Sequence, residues 1–294
     1  MIHTGILEYR SARYLWVAIT LIAISIGIYL SQSGNEQPAN GGTWQGYTTG
    51  TLGALLILWL SLLGVRKRRY RSRIGSVAGW TSAHVYLGTS VIVIGTLHSA
   101  GQLGWNIHSL AYVLMCAVVI SGFFGIYYYI SLPDKSLLNR GGRSREALFE
   151  ELHELDLEGR SAAELCSSDI AVGATSAIER TSIGGGVAAQ LLRSDRSTMS
   201  ILANGKPTIV ENKDQARVLA MIAARIPDAQ RQSEVEPLRN LMSIMGRRQA
   251  IIRRIVRDIQ FQGLLKVWLY LHIPLTVALL VSLIAHIIST FLYW

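Results

Sequence analysis

Apolar residues in this chain gather into long unbroken runs, with polar positions pushed into the segments between them. Five runs stand out: Tyr14–Leu30, Tyr47–Gly64, Thr81–Ala100, His108–Ile130 and Leu264–Trp294. A helix needs about 20 apolar residues to cross a bilayer core, so the last three predict full transmembrane helices. The first two are shorter, but Tyr14, Trp16, Trp44 and Tyr47 flank them with rings suited to the headgroup region. Arg10 and Arg13 precede the first run, which is read as a retained anchor rather than a signal peptide. Between the fourth and fifth runs lies one hydrophilic insert, Leu132 to Gln262. There SREALFEELHELDLEG predicts a short amphipathic helix ending at Gly159. A glycine-rich piece follows, Ile183 and Gly184 to Gly186, then a strand-like run around Met199–Val210. A second helix through ENKDQARVLAMIAARIP is stopped by Pro227. From Glu236 onward helical periodicity has no stop before the fifth run, predicting one long helix that rises out of the membrane. The expected fold class is an all-α membrane protein of five transmembrane helices with a mostly helical cytoplasmic insert. Its segments are an anchor and loop over 1–46, helices two to four over 47–131, the insert over 132–262 and the last helix over 263–294.

Composition agrees with that pattern: of 294 residues, 50% are hydrophobic and only 16% charged, which excludes an ordinary soluble enzyme. The net charge of +9 is concentrated, with Arg66, Lys67, Arg68, Arg69, Arg71 and Arg73 just after the second run. A juxtamembrane position makes this a positive-inside signal and a surface for anionic lipid headgroups, not a nucleic-acid patch. The stretches Ser31–Gly46 and Gly101–Ile107 contain no Lys or Arg. The bias therefore predicts a bacterial-type cytoplasmic (inner) membrane protein with its N-terminus and insert cytoplasmic and its C-terminus outside. Cys116 and Cys166 are too few for an iron–sulfur cluster and form no C-x-x-C-H haem attachment. The insert has no dinucleotide fingerprint, no P-loop and no nucleophile–base signature, so it reads as a docking or regulatory module, with His153 at its surface.

Histidines carry the candidate chemistry. His84 and His98 lie fourteen residues apart in the third run, and His272 and His286 repeat that spacing in the fifth. On an α-helix fourteen residues advance about 21 Å and bring the two rings within about 40° of one another around the axis. Each pair thus projects from one helix face, one ring near each membrane surface. The two helices run in the same direction, so His84 pairs with His272 at the inner level and His98 with His286 at the outer. Two parallel helices facing each other would form two stacked bis-histidine sites, as two haems b require. A porphyrin between helices also needs close backbone approach, for which Gly88 and Gly95 are candidates in the third run. Gly50 and Gly64, again fourteen apart, are candidates in the second, and Gly122 and Gly125 in the fourth. Packing against a neighbouring helix and a proton or metal pathway are the other uses of intramembrane histidine.

A pair of H-x13-H helices within a four-helix core resembles the membrane cytochromes b. These include the haem-bearing half of cytochrome b in quinol–cytochrome c oxidoreductases and the membrane domain of ferric reductases and NADPH oxidases. WLYLHIPLTVALLVSLIAH is similar to the last ligand helix of such diheme proteins. The resemblance implies a four-helix haem-binding bundle with His84, His98, His272 and His286 as iron ligands, and Gly50 and Gly64 at the haem faces. There is no Pro-Glu-Trp-Tyr quinol-site motif, and the large insert before the last ligand helix fits neither group. The electron-carrying core is thus implied by the resemblance; donor and acceptor are not.

The expected function is a diheme b-type cytochrome subunit that carries electrons across the membrane. Its partners would be a quinone pool and a redox protein, either a cytochrome c or an iron–sulfur protein. A self-sufficient quinone or ferric reductase is the first alternative, and a non-redox membrane adaptor the second. The outer level has no Lys or Arg for haem propionates, so either His108 or a cationic partner subunit is expected to compensate them; His108 is otherwise simply a helix-start residue at the interface.

Overall fold

The computed structural model describes residues 4–31, 39–69, 75–203, 206–227, 229 and 231–292. Helices α1 (Thr4–Leu7), α2 (Tyr9–Leu30), α3 (Trp44–Ser61), α4 (Leu63–Arg68), α5 (Val77–Ser99) and α6 (Ile107–Asn139) come first. They are followed by α7 (Arg145–Glu164), α8 (Ser168–Glu179), α9 (Val187–Leu192), strands β1 (Thr198–Ala203) and β2 (Lys206–Glu211), α10 (Ala216–Arg225) and α11 (Gln232–Leu292). Among the described residues five helical segments are long and apolar enough to cross a membrane: Tyr9–Leu30, Trp44–Arg68, Val77–Ser99, Ile107–Asn139 and Gln232–Leu292. This is the architecture of a multi-pass membrane protein. The chain divides into two compact units, one of Met1–Ser131 with Val267–Trp294, the other Leu132–Lys266.

In the first unit α5 packs along α2 and α3. Lipid supplies no hydrophobic drive between helices, so close contact has to come from small residues and interhelical hydrogen bonds. Gly79 provides one such contact: a Cβ there would stand 3.0 Å from the Tyr9 ring, whose hydroxyl accepts a 3.0 Å hydrogen bond from Ser76. Gly95 provides another, since a Cβ would come within 2.8 Å of the Met115 thioether on α6. Leu60, Ala83, Leu87, Val91, Met115 and Leu279 form one buried cluster, so α3, α5, α6 and α11 share a core.

The second unit follows the rules of a water-soluble domain. Leu148, Leu152 and Leu155 recur at helical spacing on α7 and are buried against Ile170, Ala174 and Ile178 of α8, Val218 and Ile222 of α10, and Leu241, Met245 and Ile255 of α11. Ser144 caps α7, accepting from the Ala147 N–H at 3.0 Å. The predicted stop at Gly159 does not occur: α7 runs on to Glu164, and Gly159 is buried inside it. A Cβ at 159 would press within 3.1 Å of the Ile178 Cδ1, so this glycine serves helix packing rather than termination. The run around Met199–Val210 is two antiparallel strands, pairing Thr198 with Glu211 through to Ala203 with Lys206. Asn204-Gly205, a strong hairpin dipeptide, separates them in sequence and lies outside the described residues. Helices α8 and α9 were not anticipated, whereas α10 and the long α11 match the periodicity.

Charged groups fix the second unit's interior. Asp258, with a side chain only 2% exposed, accepts from Arg145 at 2.9 and 2.5 Å, receives the Ser136 hydroxyl and has Arg140 3.8 Å away. Arg248 is fully buried, donating to Asp156 at 2.6 Å, Gln215 at 3.1 Å and Thr181 at 3.0 Å. Removing Asp258 takes away the shared carboxylate of Arg145 and Arg140, whose side chains are partly exposed and can turn to water. Asp258→Ala is therefore expected to destabilise this unit by about 1–3 kcal/mol in thermal or proteolytic unfolding of the full chain. Arg247→Ala, which removes an exposed 3.7 Å pair with Glu158, should change it by less than about 0.5 kcal/mol.

Candidate histidine site

The α5 histidines are held by the backbone of α3. His98 Nδ1 meets the Gly46 carbonyl at 2.8 Å, and His84 Nδ1 meets the Leu60 carbonyl at 3.0 Å. Gly46 and Leu60 are fourteen residues apart, like the histidines they hold, so the two antiparallel helices carry one contact twice in register. A carbonyl can only accept, so each ring carries a hydrogen on Nδ1, and in the neutral ring Nε2 is then the bare lone pair.

Local sequence explains why His98 can lie so close. The Thr43 hydroxyl caps α3 by accepting from the Gly46 N–H at 3.2 Å. A Cβ at Gly46 would fall 2.0 Å from the Asn40 carbonyl oxygen, and one at Gly50 would fall 2.7 Å from Cε1 and Nδ1 of His98. The imidazole therefore rests directly on the α3 backbone. Gly41 borders the same ring, a Cβ there lying 3.7 Å from Cε1.

On the fifth span the partners differ. His272 Nδ1 meets the Ser121 hydroxyl at 2.7 Å, and that hydroxyl also lies 2.7 Å from the Val118 carbonyl. The Ser121 hydroxyl has one hydrogen and two neighbours that can accept it, so it engages His272 Nδ1 in either tautomer of that ring. Trp268 braces this arrangement, donating to the Ser121 carbonyl at 2.8 Å with its ring centre 5.3 Å from that of His272. Gly125 makes room for the indole, since a Cβ would lie 2.1 Å from it. His286 meets His108, Nδ1 to Nδ1, with ring centres 4.5 Å apart and planes nearly perpendicular. His108 thus reaches His286 from the second position of α6.

The structure brings His98 and His286 together, with ring centres 5.9 Å apart at 89°. His84 and His272 make no ring contact or hydrogen bond with one another. Of the glycines singled out from sequence, Gly50 sits against a histidine. Gly88 touches only Leu60 at 4.0 Å, Gly95 accommodates Met115, and Gly64 has nothing within 4 Å of a Cβ. Gly122 lies 3.9 Å, as a Cβ, from His272 Cε1. Gly41, Gly46 and Ser121 were missed; the density of glycine in GGTWQGYTTG was the available signal for the first two. Arg66 is buried and closes the loop between α4 and α5, donating to the carbonyls of Arg69 at 3.1 Å and Gly75 at 2.7 Å. Arg71 and Arg73 lie outside the described residues.

Between the two histidine levels the interior is apolar. Val91 lies seven residues from His84 and from His98, and Leu279 seven from His272 and from His286. Both are buried, at 2% and 4% exposure, with Leu87 and Met115 beside them. The Ser90 and Ser282 hydroxyls bond to carbonyls of their own helices. Among the described residues no group of three or more His, Cys, Asp and Glu is arranged to hold a metal ion.

Comparison with protein-family models, with curated proteins and with solved structures returns no match.

The Gly50 contact yields a direct test. Gly50→Ala is expected to push His98 off the Gly46 carbonyl and lower thermal stability in lipid by about 1–3 kcal/mol. Gly64→Ala, placed in open space within a helix, should be neutral or stabilising by about 0.5 kcal/mol.

Proposed function

We propose that this chain is a diheme b-type cytochrome subunit that carries electrons across a membrane. The observation that carries the reading is that all four intramembrane histidines have Nδ1 engaged. For His84 and His98 the partner is a carbonyl, which leaves Nε2 of the neutral ring as the free ligand atom, and such engagement orients metal-ligating imidazoles. The donor set fits haem b. The residues that would hold one iron here, His98 and His286, have ring centres 5.9 Å apart. In this reading His98 and His286 hold the outer haem, and His84 and His272 the inner. Bis-histidine haem iron exchanges single electrons and keeps no open position for oxygen.

The chain's own residues orient the imidazoles and separate the two levels. The cluster of Leu87, Val91, Met115 and Leu279, with Tyr112 and Cys116 packed against it, is apolar at its centre, which favours electron passage over a proton relay. Donor and acceptor lie elsewhere: a quinone pool on one side and a cytochrome c or iron–sulfur partner on the other. The exposed Arg68 and Arg69 suit anionic headgroups at a cytoplasmic face, with the N-terminus and insert on that side.

A reduced-minus-oxidised spectrum of the purified full-length protein tests the assignment. Two haems b per chain are expected in the wild type. His98→Ala and His286→Ala should each remove the same haem, and His84→Ala and His272→Ala the other. Absence of a b-type α-band from haem-replete protein, or losses that fail to pair in this way, would refute it.

A further inference from the structure

Three of the four histidines are oriented by groups that need no explanation beyond helix packing: two backbone carbonyls and a serine hydroxyl. His286 is different. Its Nδ1 meets only the Nδ1 of another imidazole, His108, and a contact between two ring nitrogens holds one hydrogen, so one ring must donate and the other accept. His108 is exposed, so its Nε2–H can be satisfied by water or headgroups. His286 is only partly exposed, and the His98 ring centre is 5.9 Å from its own.

We infer that His108 is a positioning residue for His286. Its Nδ1 lone pair accepts the His286 Nδ1–H, fixing the rotation and tautomer of that ring and turning Nε2 away from the contact. His108 engages Nδ1 of His286 as Ser121 engages Nδ1 of His272. This places His108 on the ligand itself rather than among counter-groups for propionates. The use of the lock, presenting Nε2 to iron, rests on the diheme reading; the lock itself does not.

The test has two arms on the full chain in lipid nanodiscs. In the first, haem-depleted protein labelled with ¹⁵N-histidine is examined by NMR, with the His286 signals assigned by their loss in His286→Gln. The wild type is expected to show His286 protonated at Nδ1 and bare at Nε2. His108→Ala should redistribute that hydrogen between the two nitrogens. His108→Asn, whose amide oxygen can occupy the place of Nδ1, should restore the wild-type pattern. In the second arm, the haem-loaded protein is examined by electron paramagnetic resonance. The low-spin signal of one haem should shift in His108→Ala and return in His108→Asn, while the other haem's signal stays unchanged. A His286 hydrogen on Nε2 in the wild type, or a tautomer indifferent to His108→Ala, overturns the inference. Should His108→Ala fail to fold, the wild-type tautomer and the asparagine variant decide. A lock present without any b-type absorption refutes the cytochrome reading alone. Two haems bound without the lock refutes the positioning role alone.

Discussion

The hydrogen bonds from the two α5 histidines to the α3 backbone are the constraint on which the first unit's arrangement depends. Each is a polar contact in an environment without water to replace it, where such bonds contribute about 0.6–2 kcal/mol. Their larger consequence is geometric. Because Gly46 and Leu60 repeat the spacing of His98 and His84, neither helix can slide or rotate without breaking both contacts. The rotation of α5 is thereby fixed with its imidazoles against α3, and its opposite side, at Gly79, receives Tyr9. Packing and chemistry share the same register, so a change in one is a change in the other.

Lipid and water impose different solutions on the two units. In the membrane unit, contact is made by deletion: Gly79, Gly95 and Gly125 each admit a large side chain that a methyl group would exclude. In the hydrophilic unit, contact is made by filling. Leucines and isoleucines on α7, α8, α10 and α11 exclude water, and Arg248 and Asp258 are tolerated inside because several partners surround each. Glycine appears in both settings with the same local meaning. Gly159 lets Ile178 approach α7 much as Gly95 lets Met115 approach α5, which is why reading Gly159 as a helix stop failed. A glycine terminates a helix when the backbone needs a positive φ, as at Gly101 after α5. Inside a periodic apolar face it marks a close neighbour instead.

The spans were legible because uninterrupted apolar runs have few other outcomes, and the histidine pairs because two identical spacings seldom coincide on unrelated faces. What holds the histidines was not legible. Gly46 and Leu60 act through carbonyl oxygens, a group that every residue carries, so no side-chain motif announces them. Ser121 is one hydroxyl among several in apolar helices, and it becomes distinctive only because α11 places His272 beside it. The same limit applies to Gly64. Its spacing from Gly50 matched the histidine period, yet the structure leaves open space there, because α3 ends at Ser61 and Gly64 belongs to α4. In the hydrophilic unit α8 was hidden by its small residues. Ala171, Ala174 and Ala177 give a weak periodic signal, and they suit the close packing of α8 on its neighbours.

The apolar layer between the histidine levels bears on what the site can transmit. Protons move by hopping along donors and acceptors that reorient, and neither Val91 nor Leu279 offers one. The nearby serines are tied to their own helices. Each imidazole is also pinned through Nδ1, and a ring that must rotate to relay a proton is poorly served by a partner that fixes it. In the diheme reading proposed above, electrons would have no such need, because they tunnel through packed side chains and fixed imidazoles reduce the accompanying reorganisation. The same pinned rings, with an apolar cluster between them, disfavour the relay.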